Sequence, residues 1–489
     1  MRTLEIAVLL VSLAAAGVIV FRKRERRLDT AVLSSLVLVV LLHGNMDHFR
    51  LQMLPTYLVA WILILGFILR IIKPQAKERL QTRKNIYMKR GLLTMVVMAL
   101  TAGSMYLTHV LPAFSLPEPT GKYAIGTISQ HLTDQSRDET LSAVPGDKRE
   151  LMVNVWYPVD PDVAKQKPKE PYPAELGEAI SLVFGIPKQL FSYLTTIPTH
   201  VVQGAEISNA EAKYPVLLFS PGVRSTRFQS MTAVEELVSH GYIVVGMDHP
   251  YSSAKVSFPD GRVIPYTPEP EFPTSAELYE NNVKGVSIRA ADSRFVLDTL
   301  TTWNTQDPNG LLEGKLDLEH VGIFGHSYGG ATTAETLAQD QRFKAGVSLE
   351  GGFWGTVAHT GLQQPFMYMM TGTTAESLKP SVTKKDKVFY TEFAPDLKSV
   401  MTKSQNDTYY LTVDKLFHQS FTDLALISPS LFAKNIDPVH NIDITRSYVR
   451  AFFDQYLKGE QQPLLKGASP EYPEVSFDPT YTKRDHSCF

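Results

Sequence analysis

Four apolar runs crowd into the first 115 residues of this 489-residue chain: Ile6 to Phe21, Ala31 to Leu42, Met53 to Ile72 and Gly91 to Leu111. A helix needs about 20 apolar residues to cross a bilayer core. By length alone the third and fourth runs suffice, the first is slightly short and the second clearly so. Charge decides the second. Arg22 to Arg27 holds five basic residues and Arg70 to Arg90 holds eight, whereas His43 to Arg50 between them holds one. The positive-inside rule puts both basic loops on the cytoplasmic side only if the second and third runs both cross. The expectation is a four-helix transmembrane module over residues 1–115, in a multi-pass cell membrane, with everything beyond it extracytoplasmic. A cleaved signal peptide fits poorly, because one basic residue, Arg2, precedes the first run and Arg-Lys-Arg-Glu-Arg-Arg follows it. No run carries an ionisable residue near its middle, so the module reads as an anchor rather than an ion or proton path.

The module also divides the charge. Up to residue 115 there are 15 Lys and Arg against 5 Asp and Glu, or +10, and beyond it 33 against 45, or −12. An acidic segment without a basic stripe excludes nucleic acid as a partner. The single cysteine, Cys488, cannot form an internal bridge, and it rules out every Cys-based zinc or iron–sulfur spacing. No phosphate-binding loop or dinucleotide fingerprint is present, so no cofactor and no metal are expected. No protein partner is identifiable.

Pro112, Pro117 and Pro119 close the last apolar run, and a second folding unit follows. Residues 121–460 alternate strand and helix patterns. Strand candidates include Ile125 to Gln130, Met152 to Val159, Val216 to Ser220, Tyr242 to Met247, Val321 to Phe324, Ala345 to Leu349, Phe366 to Met370 and Tyr409 to Val413. Helix patterns such as Ala233 to Ser239 and Ile288 to Trp303 lie among them. Such repetition predicts an α/β fold with a mostly parallel sheet. An apolar insertion, residues 174–206, interrupts the alternation and is either a helix packed on the sheet or a surface that meets an amphiphile. Residues 461–489 read as a C-terminal tail.

The chemistry concentrates at Val321-Gly-Ile-Phe-Gly-His-Ser-Tyr-Gly-Gly330. Gly-x-Ser-x-Gly alone is a weak motif. Here an apolar strand leads in and an Ala-rich helical pattern leads out, which is the strand–turn–helix elbow that exposes a nucleophilic serine, Ser327. A serine needs a histidine to take its proton and a carboxylate to orient that histidine, in chain order serine, acid, histidine. Of His359, His418, His440 and His486, His418 is best placed, just after a strand candidate, with His440 next. Glu350 ends the first strand after the elbow and is the candidate acid. Asp437 competes on position, but caps the helical pattern after it. For the oxyanion hole, Tyr328 supplies one backbone amide and Val223, in Phe219-Ser-Pro-Gly-Val223, the other, since Pro221 has no N–H.

At these blocks the sequence resembles the platelet-activating-factor acetylhydrolases, serine lipases of the α/β-hydrolase fold. Val321 to Phe353 resembles the family's nucleophile block, with Glu350 at its acid position. Leu416 to Asp423 resembles its histidine block, which favours His418. Leu218 to Val223 and Val238 to His249 are similar to its oxyanion loop and following strand, with His249 and Asp248 read as structural. Two positions depart from the pattern, Pro221 in place of histidine and Glu350 in place of aspartate. The resemblance implies a serine esterase or lipase with a Ser327–His418–Glu350 triad, acting through an acyl-enzyme on short or modified acyl groups of phospholipid-like, amphiphilic ester substrates at a lipid bilayer. The alternatives are an esterase for polyester, lactone or xenobiotic esters, and an inactive membrane sensor built on a hydrolase fold.

Overall fold

The computed structural model describes residues 1–72, 83–378 and 387–484. Part of the second basic loop, His486 and Cys488 lie outside them. The described chain divides into two compact units, one comprising residues 1–115, 187–197 and 427–431, the other comprising residues 116–186, 198–426 and 432–489.

The first unit is built on helices α1 (Thr3–Phe21), α2 (Arg26–Met46), α3 (Leu54–Ile72) and α4 (Arg83–Val110). Each is long and apolar enough to cross a membrane. The second is 21 residues, longer than its apolar run, because Arg26–Thr30 and His43–Met46 continue the helix in more polar sequence. A dry seam of Ala15, Ala16, Leu36, Val59, Ala60, Leu63, Phe67 and Val97 holds the helices together. Large apolar side chains also face outward, Trp61, Leu65, Leu92 and Met95 among them. Two ion pairs close the bundle: Arg50 Nε with Glu5 Oε1 at 2.7 Å, both side chains wholly buried, and Arg70 Nε with Asp29 Oδ2 at 3.0 Å. Residues 187–197, the middle of the apolar insertion, group with these helices. Gln52 Nε2 donates to the Leu190 carbonyl at 2.6 Å, and the Arg50 guanidinium lies 5.1 Å from the Tyr193 ring centre.

The second unit carries an 11-stranded sheet. Its strands are β1 (Ala124–Asp138), β2 (Lys148–Val159), β3 (Lys169–Pro171), β4 (Pro198–Gln203), β5 (Tyr214–Ser220), β6 (Ile243–Asp248), β9 (Leu316–His326), β10 (Phe343–Leu349), β11 (Phe366–Thr371), β12 (Thr408–Val413) and β13 (Val475–Phe477); a separate hairpin pairs β7 (Lys255–Ser257) with β8 (Val263–Pro265). The order is β13-β12-β11-β10-β9-β5-β6-β2-β1-β4-β3. From β12 to β6 every neighbouring pair is parallel. These strands are buried on both faces, which is why Val216–Phe219 and Ile243–Val245 are unbroken apolar runs rather than alternating ones. The stretch read as a tail supplies β13, which pairs antiparallel with β12 through Leu411, Thr412 and Val413. A mostly parallel sheet with helical crossovers gathers the carboxyl ends of β5, β9, β10 and β12 along one edge, the usual place for a site in such folds.

Candidate active site

Ser327 stands between β9 and the helix Tyr328–Gln339, with φ 56° and ψ −122°. That left-handed backbone is rare for a residue with a side chain and costs about 1–3 kcal/mol, so the surroundings must hold it. They do so by close approach. A Cβ on Gly325 would lie 2.3 Å from the Gly329 carbonyl oxygen, and one on Gly329 would lie 1.9 Å from that of Ser220. Only glycine at both positions lets the chain fold back beneath the serine. The Ser327 amide donates to the Leu349 carbonyl at 2.8 Å, fixing the elbow to the end of β10.

Glu350 follows β10 with φ 57°, a second strained residue, and its amide donates to the Met369 carbonyl at 2.9 Å. The carboxylate is buried and fully used. Its Oε2 lies 2.9 Å from His418 Nδ1, and its Oε1 accepts from Thr371 Oγ1 at 2.8 Å. His418 follows β12 at the start of a short 3₁₀ turn, with its ring partly exposed. Ser327, Glu350 and His418 all line one cavity of about 300 Å³, together with Tyr328, Trp354, Tyr368, Met370 and Phe393. A neutral imidazole with Nδ1–H on Glu350 presents Nε2 as a base.

The loop expected to form the oxyanion hole follows β5. Val223 N–H meets no hydrogen-bond acceptor among the described residues, and Tyr328 N–H, at the first position of its helix, is one that the helix cannot satisfy. Three contacts fix the loop before Val223. Ser220 Oγ lies 3.0 Å from His249 Nε2, the Pro221 carbonyl accepts from Arg289 Nη1 at 2.7 Å, and Gly222 N–H donates to Gln229 Oε1 at 2.8 Å. Gln229 Nε2 in turn lies 3.1 Å from His326 Nδ1.

The remaining candidates lie elsewhere. His440 Nε2 faces Glu474 Oε2 at 3.2 Å, and Asp437 caps the helix Pro438–Lys458 by accepting from the amides of Val439 and His440. His359 is exposed. Asp248 pairs with Arg227. His249 is wholly buried, with Nδ1 2.8 Å from Asp292 Oδ2, and burial lowers its pKa to about 4, so it is neutral. Ser220, His249 and Asp292 thus repeat the order hydroxyl, imidazole, carboxylate, but sealed from any substrate. Sequence reasoning overlooked Thr371, Gln229, His326 and Arg289 as parts of the site. His326 was legible as the variable residue of the motif, whereas the others are brought in from separate strands, loops and helices.

Residues 109–289 and 297–463 match the family described as platelet-activating factor acetylhydrolase, isoform II. Among similar proteins, a probable 1-alkyl-2-acetylglycerophosphocholine esterase of Arthroderma benhamiae is 25% identical over 78% of this chain and 98% of its own length. The platelet-activating factor acetylhydrolase of Cavia porcellus is 24% identical over 70% of this chain and 78% of its own. The solved structure of a ferulic acid esterase from Streptomyces cinnamoneus superimposes with a TM-score of 0.60 at 28% identity, covering 74% of this chain and 98% of that one. Sheet order, elbow and family match agree: the chain is an α/β-hydrolase-fold member of the platelet-activating factor acetylhydrolase, isoform II, family.

Proposed function

We propose that this protein hydrolyses carboxylic esters through Ser327, His418 and Glu350. The observation that carries the reading is the 2.9 Å contact between His418 Nδ1 and Glu350 Oε2 in the same cavity as the strained Ser327. Ser327 Oγ attacks the ester carbonyl while His418 Nε2 takes its proton, and Glu350 stabilises the imidazolium. The amides of Val223 and Tyr328 receive the tetrahedral oxyanion. Collapse expels the alcohol with the proton from His418, and water activated by the same imidazole releases the acyl group.

The substrates are phospholipid-like esters with short or modified acyl groups, in keeping with the names of the relatives. A second reading, esters of aromatic acids, draws on the ferulic acid esterase and on the Trp354, Tyr328, Tyr368 and Phe393 rings that line the cavity. The helices α1 to α4 are membrane spans, supported by their length and by outward-facing apolar side chains such as Trp61 and Met95. The basic loops are cytoplasmic and the hydrolase is extracytoplasmic.

The deciding experiment compares the purified protein with Ser327→Ala on a short-chain p-nitrophenyl ester, micellar phospholipids and feruloyl esters. Loss of all hydrolysis in the variant, with phospholipid preferred by the parent, is the expected result. Full activity of Ser327→Ala refutes the nucleophile, and preference for feruloyl esters selects the second reading.

A further inference from the structure

Arg289 lies on the helix Ser275–Trp303 and is 1% exposed. It makes no ion pair among the described residues, because the carboxylate one turn on, Asp292, is taken by Arg149, Arg137 and His249. Its donors go to neutral groups: Nη1 to the Pro221 carbonyl at 2.7 Å, and Nη2 and Nε to Ser252 Oγ at 2.6 and 3.1 Å. The face of the guanidinium meets the Tyr328 ring, 4.9 Å from its centre. Tyr328 is held there from the same helix, its hydroxyl donating to the Asn282 carbonyl at 3.0 Å. Gly285 leaves room for it, since a Cβ there would lie 2.3 Å from that hydroxyl.

A buried cation whose hydrogen bonds all go to neutral groups is a costly arrangement that stability alone does not explain. Burial pulls the Arg289 pKa down to about 10, which still leaves it charged at neutral pH. Its two neighbours are informative. Pro221 is two residues before one oxyanion donor, and Tyr328 is the other. The Pro221–Gly222 peptide is gripped at both ends, its C=O by Arg289 and its N–H by Gln229, and this sets the direction of the amide that follows at Val223.

We propose that Arg289 is a positioning residue of the oxyanion hole, aligning the Val223 and Tyr328 amides through its grip on the Pro221 carbonyl and the Tyr328 ring. The proposal rests on the serine-hydrolase reading above. It assigns Arg289 no contact with substrate. Its effect belongs to the transition state rather than to binding.

The test uses the full chain with Arg289→Lys, Arg289→Met and Ser252→Ala, the last removing the hydroxyl that seats the guanidinium. Steady-state hydrolysis of a short-chain p-nitrophenyl ester is read beside inhibition by a trifluoromethyl ketone, which forms a tetrahedral oxyanion on the serine. Arg289→Met should lower kcat about 10²- to 10³-fold, the scale of losing one oxyanion donor, with KM changed less than about threefold. Ketone affinity should weaken by the same factor as kcat/KM, and Arg289→Lys should recover part of both. Ser252→Ala should show the same pattern at about tenfold, which keeps the proposal testable if Arg289→Met does not fold. Folded Arg289→Met or Ser252→Ala with unchanged kcat and ketone affinity overturns it, as does a loss confined to KM. Should Ser327→Ala remain active, the parent reading fails instead, so the two failures are distinguishable.

Discussion

His326 Nε2 lies 2.8 Å from the backbone carbonyl of His418, so the histidine inside the elbow motif carries the backbone of the histidine that faces Glu350. Burial, reinforced by the neighbouring His418, holds His326 well below the usual histidine pKa, and it is therefore neutral. With Nε2–H donating to His418, Nδ1 is left to accept from the Gln229 amide, whose oxygen accepts from Gly222 N–H. Each link in this chain pairs one donor with one acceptor, and the chain joins the loop proposed for the oxyanion hole to the proposed base. His326→Leu breaks it in the middle. A misplacement of about 1 Å can cost about 10²-fold in rate, so kcat should fall 10- to 10²-fold with KM nearly constant. Steady-state kinetics on a soluble ester checks this, and an unchanged kcat in the folded variant refutes the coupling.

Thr371 should affect catalysis through Glu350. Its hydroxyl donates to the carboxylate oxygen opposite the one that meets His418. A hydrogen bond to a charged group is worth about 1.5–3 kcal/mol, so Thr371→Val should slow kcat by about tenfold or somewhat more. Glu350→Gln, which spoils the acceptor for His418 itself, should cost on the order of 10⁴-fold. In the double variant the Thr371 effect should vanish, because the charge it supports is gone. A double-mutant cycle on kcat/KM measures this, and strict additivity of the two losses refutes it.

Local pattern in the sequence carried most of the architecture. Strands β5, β6 and β9 are apolar runs bounded by turns, and the elbow is a strand followed by glycines and a helix, so both were legible in short windows. The second helix was underestimated because an apolar run ends at Leu42, whereas the helix continues to Met46 through His43, Gly44 and Asn45. Long-range partners were invisible. Glu350 and His418 are 68 residues apart, and Arg289 reaches Pro221 across 68, joined by a sheet order that no local pattern encodes. The split of the apolar insertion was equally hidden, because the hydrogen bond from Gln52 to Leu190 spans 138 residues.

Acid should weaken the folded state through His249. Its pKa is about 4 when folded, lowered chiefly by burial, against an ordinary value of 6.5. The unfolded chain therefore binds more protons between these values. The stabilisation is fully present above pH 6.5 and is lost progressively as pH falls towards 4. His249→Gln can keep both hydrogen bonds, to Ser220 and to Asp292, without a titrating group. Its melting temperature should fall less steeply than that of the parent between pH 6.5 and 4.5. Parallel slopes in thermal scans would remove His249 from the acid response.

The proposed membrane orientation has its own outcome. With both basic loops cytoplasmic, protease added to intact cells should remove the hydrolase beyond residue 115 and spare lysines at 73–90. Full protection of the hydrolase, with cleavage only after permeabilisation, would reverse the topology.

The Glu5–Arg50 pair should behave as a buried ion pair, where losing one partner is worse than losing both. Arg50→Leu leaves the buried Glu5 carboxylate without a cation, with only the Arg2 amide among the described residues donating to it, and also removes the cation over Tyr193. Breaking such a pair from one side costs about 3–5 kcal/mol, whereas replacing both charges by groups of similar volume is often close to neutral. Arg50→Leu should therefore lower the melting temperature of the detergent-solubilised protein, and Glu5→Gln combined with Arg50→Met should recover most of the loss. Because Lys188 begins the segment that packs beside Arg50, Arg50→Leu should also quicken tryptic cleavage there. If the double variant is as unstable as the single one, the pair supplies net stability that its desolvation cost does not offset.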